Sequence, residues 1–436
     1  MKSLQIPNLT LTSDQEKANN SFLDFLVSDE NFFVIQGPAG TGKSFLIRYL
    51  LETFYSKYSA YCLLLQKELK PFDVKITATT NKAANVIRDF LKETSGNYEV
   101  TTIYSLLGLK VTNDIKTGKT SLSFNGGTPN PFANDAMPLI FIDEASFVGK
   151  DLHEIITKFI KDHRQAKVIY MGDQYQLAPV GETFSAIESL DCGKASLDEI
   201  VRNEGHIQAM GLQFRRTVES GLFKPIHFND DDFIHVDGPT FQTMVESSFA
   251  DPYWNPAVSK VIAWQNDRVQ EYNAHIRSFL GLPTIFQNGE IVITNEFIKG
   301  NKNYSRSVDS EVTVTRMGQD IITRMDVPGR LVELDDYHIA FMPNDFREAK
   351  AKMKELAALK QWKDYFEIKE NWLDLRAVYA STVNKAQGST YDTVFIDLSD
   401  IGKNWNARDV ARLVYVSITR AAKRVVCYGQ LPKRYT

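Results

Sequence analysis

Residues 37–44 read Gly-Pro-Ala-Gly-Thr-Gly-Lys-Ser and match G-x-x-x-x-G-K-[ST] in full. No other stretch restricts the fold so strongly, because this loop requires a strand before it and a helix after it. Both are in place. Residues 32–36 are a short apolar run rich in strand formers, and 44–58 carry a long helical pattern. In such a loop, backbone N–H groups turn inward around phosphate oxygens at the positive end of the following helix. Gly37, Pro38, Ala39, Gly40, Thr41 and Gly42 would form the cradle. Lys43 would neutralise the outer phosphates and Ser44 would ligate Mg²⁺ through its hydroxyl.

The surrounding pattern extends the same architecture. Strands are expected at 32–36, 74–79, 139–142 and 168–171, with helices such as 44–58 and 82–91 between them. Alternation of this kind favours a parallel sheet covered on both faces. It recurs later, with strands at 261–264, 377–382, 393–398 and 425–428 and helices at 268–279 and 407–416. Two segments break the rhythm. Residues 109–138 are turn-rich around a short alternating run, which reads as a β-hairpin insertion. Residues 287–342 alternate with period two, as in a small barrel, and 345–370 follow as one charged helix capped by Asp345. The expected parts are a first lobe at 1–108 and 139–225, the hairpin at 109–138, a second lobe at 226–286 and 376–436, and the barrel plus helix at 287–375.

A second motif supports triphosphate hydrolysis. Ile140-Phe141-Ile142-Asp143-Glu144-Ala145 is an apolar strand ending in two acids. After a phosphate loop, Asp143 would hold the Mg²⁺ shell and Glu144 would accept a proton from the attacking water.

Further along, Met171-Gly172-Asp173-Gln174-Tyr175-Gln176-Leu177 resembles motif III of superfamily 1 helicases, and 381–388 and 415–421 resemble motifs V and VI. Their order and spacing most resemble the 5′-to-3′, RecD-like branch. The size of the chain and of its insertions resembles the Dda-type helicases of T-even-type phages. The resemblance implies an ATP-dependent DNA helicase and single-strand translocase with two RecA-like P-loop lobes, a hairpin pin and an SH3-like barrel. It also implies residue roles. Gln15 would read the adenine edge, Gln174 would sense the γ-phosphate, and Arg420 and Arg202 would stabilise charge on the transferring phosphoryl group. Arg202 has no tight motif around it and also reads as a surface ion-pair residue.

Strand contact is expected from hydroxyls, amides and a few cations, which bind phosphates without reading sequence. Matching the family's strand-contacting motifs are Thr80, Asn81, Lys82, Thr102, Tyr104, Thr382, Asn384, Lys385 and Gln387. Asn384 stands where histidine is common, and its amide still donates to phosphate. Tyr104 either stacks on a base or anchors in the core beside Leu106 and Leu107. Phe124 is the candidate wedge at the hairpin. Trp362 and Trp372 are expected to brace the barrel more than to stack on DNA.

Composition sets the outer limits. The 436 residues contain 50 Lys plus Arg against 54 Asp plus Glu, so neutralisation of phosphate over the whole surface is excluded. The three cysteines and scattered histidines have no metal-ligand spacing. No apolar run reaches bilayer length and no signal sequence is evident, so a cytoplasmic protein (host cytoplasm for a phage) is expected. The expected partners are ATP, Mg²⁺, single-stranded DNA and tailed duplexes, with a single-strand-binding protein or replisome component possible, and the chain acting as a monomer. Two alternatives stand beside the helicase. One is a small-molecule P-loop kinase, which leaves the second sheet unexplained. The other is an ATP-clamped nucleic-acid-binding scaffold, against which the intact Lys43, Asp143, Glu144 and Arg420 argue.

Overall fold

The structure, a computed structural model, describes residues 10–435 except Ala39, Glu93, Ser95, Asn97, 114–119, 125–131, 133–135, Arg164, 180–181, 183–184, 200–204, 300–304 and 336–337. It divides into two compact units, one of Met1–Leu109, Phe124–Gln208 and Val218–Ser220, the other of Lys110–Ser123, Ala209–Thr217 and Gly221–Thr436.

The first unit is built on six parallel strands. Their order is Val100–Thr102, Phe72–Ala78, Met137–Asp143, Lys167–Gly172, Phe32–Gln36, Gly193–Ser196. Strands covered on both faces carry apolar runs without alternation, and Met137–Asp143 and Lys167–Gly172 show this. Successive residues feed opposite cores. Phe33, Ile35, Phe141 and Met171 face the helices Ser13–Val27 and Lys43–Leu64, while Val34, Ile140, Ile142 and Tyr170 face Lys150–Asp162. Strand Phe32–Gln36 has the bounds expected from sequence. The strands Val100–Thr102 and Gly193–Ser196 were not expected, being too short to show a pattern. Leu109–Asn113 and Thr120–Phe124 pair as a separate two-stranded sheet, as the hairpin reading requires.

The second unit repeats the plan with five parallel strands, in the order Ala380–Thr382, Ser259–Ala263, Tyr391–Asp397, Ala421–Tyr428, Phe233–Val236. Its insertion is an antiparallel sheet running Ile322–Arg324, Val327–Leu334, Glu311–Met317, Ile291–Thr294, Leu375–Ala377, with His338–Pro343 also on Val327–Leu334.

Two expectations are corrected. Residues 377–382 are not one strand. Leu375–Ala377 pairs antiparallel with Ile291–Thr294, and Ala380–Thr382 pairs parallel with Ser259–Ala263. The charged helix is two, Phe346–Ala358 and Trp362–Asn371. The break falls at Lys360 (φ 57°), where Lys360 N–H donates to Ala357 O at 3.1 Å and Gln361 N–H to Leu356 O at 2.8 Å. That is a left-handed helix stop formed without glycine. Trp372 is buried against Phe341, with ring centroids 4.5 Å apart, in its expected bracing place.

Candidate active site

The phosphate loop lies between Phe32–Gln36 and the helix Lys43–Leu64. Gly40 and Gly42 take φ of 89° and 77°, a region open to glycine. A Cβ on Gly37 would lie 2.7 Å from Leu197 O, so the loop also needs a bare backbone at its start. Gly37 N–H donates to Gly172 O (3.0 Å), and the Thr41 hydroxyl donates to Pro38 O (3.0 Å). The N-cap Gly42 has no side-chain cap, which leaves the first N–H groups of the helix open to an anion. Lys43 Nζ donates to Gly37 O (2.7 Å) and Pro38 O (2.9 Å), folding the ammonium back over the loop.

Gln15 sits directly behind the loop and is 2% exposed. Its Nε2 donates to Thr41 O (3.1 Å), and its Oε1 accepts from Thr12 N–H (3.1 Å) in a capping box. A Cβ on Gly42 would approach that Nε2 to 2.5 Å. Gln15 thus touches the loop, and both ends of its amide are engaged within the chain.

Asp143 ends its strand, and burial pushes its carboxyl up while the Lys43 charge pulls it back. A half-buried carboxylate, a lysine whose charge acts on it and an uncapped helix start together fit a nucleoside triphosphate with a divalent cation. Glu144 takes a left-handed conformation (φ 50°, ψ 41°), a strained state for a side chain with a Cβ. Thr79 holds this turn. Its N–H donates to Asp143 O (3.3 Å), its hydroxyl to Glu144 O (3.1 Å), and Phe147 N–H adds a second donor to Glu144 O (3.1 Å). Gly172 leaves room here too, since its Cβ would stand 3.1 Å from Ala145 N.

The turn after Lys167–Gly172 carries Gln174, which is half-buried and already has a partner in the chain. It is shaped by the buried Asp173, whose Oδ1 accepts from Tyr175 N–H at 3.0 Å. Arg202 and Ala39 lie outside the described residues.

The expected strand-contact residues of the first unit sit at helix starts. Thr80 caps Asn81–Leu91 and accepts from Ala83 N–H at 3.1 Å, so Asn81 and Lys82 open that helix two residues after Thr79. Thr102 caps Ile103–Leu106 and accepts from Ser105 N–H at 3.1 Å. Tyr104 packs on the core that holds Leu106 and Leu107, and burial raises its phenol, so the anchoring alternative fits its placement. Phe124 ends its hairpin strand, and its side chain is not described.

In the second unit Thr382 caps Val383–Ala386, accepting from Lys385 N–H at 3.4 Å. Asn384 is exposed, and Gln387 is buried at 6% exposure. The strand beneath is fixed by Asn273, whose Oδ1 accepts from Ala380 N–H (2.9 Å), a positioning role that no motif announces. Arg420 is 4% exposed, its Nε and Nη1 donating to Val416 O and Ser389 O, both at 3.2 Å. Among the described residues no cluster of His, Cys, Asp and Glu could hold a metal ion, and no helix is long and apolar enough to cross a membrane.

Comparison with known proteins gives concordant results. A family model described as an AAA domain matches residues 10–236, and one for a UvrD-like helicase C-terminal domain matches 377–428. The chain is 24% identical over 463 residues to the ATP-dependent DNA helicase dda of Enterobacteria phage T4, covering 94% of this chain and 97% of that one. It is likewise 24% identical over 505 residues to an uncharacterized protein of Acanthamoeba polyphaga mimivirus, covering 94% and 98%. Among solved structures, a Pif1 helicase from Bacteroides in complex with ADP-AlF3 and ssDNA aligns with a TM-score of 0.50 at 16% identity, over 98% of this chain and 94% of that one. A structure of Pif1 helicases unwinding forked dsDNA aligns with the same TM-score, identity and coverage.

Proposed function

We propose that the chain, which belongs to the AAA-domain family and matches a UvrD-like helicase C-terminal domain over 377–428, is an ATP-dependent DNA helicase of superfamily 1, 5′-to-3′ branch, and we assign the residues that do the work. The observation that carries the proposal is the pair of hydrogen bonds from Thr79 to Asp143 and Glu144. One residue separates Thr79 from the helix start that offers Asn81 and Lys82 to a strand. The backbone holding the hydrolytic acids and the backbone holding the strand therefore move together. Such a link lets strand contact tune the position of the acids, and lets the γ-phosphate state tune the grip on the strand.

In the nucleotide site, the loop amides and Lys43 bind the phosphates, and Ser44 and Asp143 would hold Mg²⁺, which supplies charge neutralisation. Glu144 takes a proton from the attacking water. Gln174 responds to the γ-phosphate, Gln15 braces the loop and faces the base, and Arg420 supplies positive charge once released from its own carbonyls. Arg202 is assigned the same type of role on its motif. The strand is held by Thr80, Asn81, Lys82, Thr102, Thr382, Asn384, Lys385 and Gln387, while Tyr104 anchors its turn in the core. The hairpin that ends in Phe124 parts the duplex, and the antiparallel insertion forms an SH3-like barrel. The enzyme works as a monomer on single strands and tailed duplexes.

Lys43→Ala tests this assignment. It should abolish strand-stimulated ATP turnover while single-strand binding stays measurable. Turnover indifferent to added DNA in the unaltered protein would overturn the motor itself.

A further inference from the structure

Lys385, in the strand-contact turn of the second unit, is not offered to solvent as a free cation. Its Nζ donates to Asn295 Oδ1 (2.6 Å) and lies 2.7 Å from Asp309 Oδ1. Both acceptors come from the insertion, more than seventy residues earlier in the chain. The two contacts differ in kind. Asn295 is locked, its Nδ2 donating to Asp374 Oδ2 (2.7 Å), and Asp374 is a buried carboxylate also held by Arg376 (2.8 Å). Asp309 is held less well. The ammonium lies off the direction a hydrogen bond needs, and among the described residues that buried oxygen has no hydrogen-bond donor. Asp309 also takes a left-handed backbone (φ 61°) in a turn pinned by Asp309 N–H to Thr294 O at 2.8 Å. Glu296 lies within the field of Lys385: burial pushes its carboxyl up, Asp374 adds to that, and Lys385 pulls it down.

On the footing that Lys385 meets a strand phosphate, we propose that Asp309 is an electrostatic brake on strand binding, competing with the phosphate for the Lys385 ammonium so that each step can release the strand. Asn295 sets where the ammonium sits, and Asp309 sets how strongly it is available. The pair is partly buried, its side chains 28% and 24% exposed, and it lacks an aligned hydrogen bond, so a phosphate can displace it, yet it subtracts from the affinity of every bound state. This gives a motor with net charge −4 a way to hold its track and let go.

The test uses the full chain and a fluorescent oligothymidylate, with binding followed by anisotropy over a series of salt concentrations. Asp309→Asn keeps the side-chain shape, and asparagine tolerates left-handed backbone well. It should lower Kd roughly two- to five-fold, as expected for removing a weak competing ion pair. It should also steepen the slope of log K against log salt by up to about 0.7, the value for one more phosphate contact on a single strand. Lys385→Gln should weaken binding, and the double variant should behave as Lys385→Gln alone. Single-turnover dissociation of the strand should slow in Asp309→Asn. If Lys385→Gln weakens binding while Asp309→Asn leaves Kd and slope unchanged, the brake is refuted and the strand contact stands. If Lys385→Gln leaves binding unchanged, Lys385 is not a strand contact, and the brake is refuted with it. A Thr294→Val variant, which removes the hydroxyl that donates to Ser307 O (2.7 Å) and accepts from Ser310 N–H (3.0 Å) in the same turn, separates structural loosening from loss of charge, because only Asp309→Asn should steepen the salt slope.

Discussion

Replacing Thr79 with valine removes one hydroxyl and nothing else of consequence in shape. Thr79 is 7% exposed, and the lost contact is its 3.1 Å hydrogen bond to Glu144 O. One such bond is worth about 1 kcal/mol net. Holding Glu144 at φ 50° costs a residue with a Cβ about 1–2 kcal/mol, so the missing bond is comparable with the strain it offsets. Phe147 N–H still donates to Glu144 O, and Thr79 N–H still donates to Asp143 O, so the turn should loosen without being lost. A loss of about 1 kcal/mol from the alignment of the acid corresponds to roughly five-fold in rate. The assay is steady-state ATP turnover with and without saturating oligothymidylate, beside nucleotide binding. Strand-stimulated kcat should fall roughly five-fold while nucleotide affinity changes little, because the phosphate loop keeps all its own contacts. A stimulated kcat equal to that of the unaltered protein would refute the idea that Thr79 couples the acids to the strand track.

Two further predictions concern stability. Lys360→Gly relieves a left-handed lysine at the helix break, and should stabilise the second unit by about 1 kcal/mol, read as a higher unfolding midpoint; a lower midpoint would contradict the strain. Lys167, 5% exposed in the first unit, donates to Phe25 O, Ser28 O and Glu30 O, and burial depresses its ammonium to about 8. The unfolded chain, with an ordinary lysine, therefore holds more protons between about pH 8 and 10.5, and stability from this group rises with pH across that window. Urea unfolding should show the unaltered protein gaining on Lys167→Met from pH 7.5 to 9.5, and a gap that stays flat or moves the other way would refute the assignment.

Some of this architecture was open to reading because local chemistry dictates it. A phosphate loop requires its strand and helix, and the parallel strand Phe32–Gln36 announces itself as an apolar run with clear ends. The acids after Met137–Asp143 follow for the same reason. Other features depend on partners far off in sequence. Apolar residues run on through Ala377, Val378, Tyr379 and Ala380, and no turn residue marks where the chain leaves the insertion sheet for the lobe sheet. The break between Phe346–Ala358 and Trp362–Asn371 lacks the glycine or proline that usually signals a helix end; packing of the two helices against each other imposes it. The same holds in the sites. Motif chemistry proposes Lys43, Asp143 and Glu144, and the family resemblance proposes Lys385, but neither says what holds them. Thr79 reads only as the end of the strand expected at 74–79, and Asn295, Asp309 and Asn273 give no sign at all. Each acts through hydrogen bonds or an ion pair across a gap of tens of residues, which no local pattern records.

The most direct test of the whole account is unwinding of two duplexes of identical sequence, one with a 5′ single-stranded tail and one with a 3′ tail, at saturating ATP and Mg²⁺. The account predicts strand separation from the 5′-tailed duplex, dependent on ATP and absent in Lys43→Ala, with little or none from the 3′-tailed duplex. Equal unwinding of both, unwinding from the 3′ tail alone, or ATP turnover without separation of either duplex would contradict it.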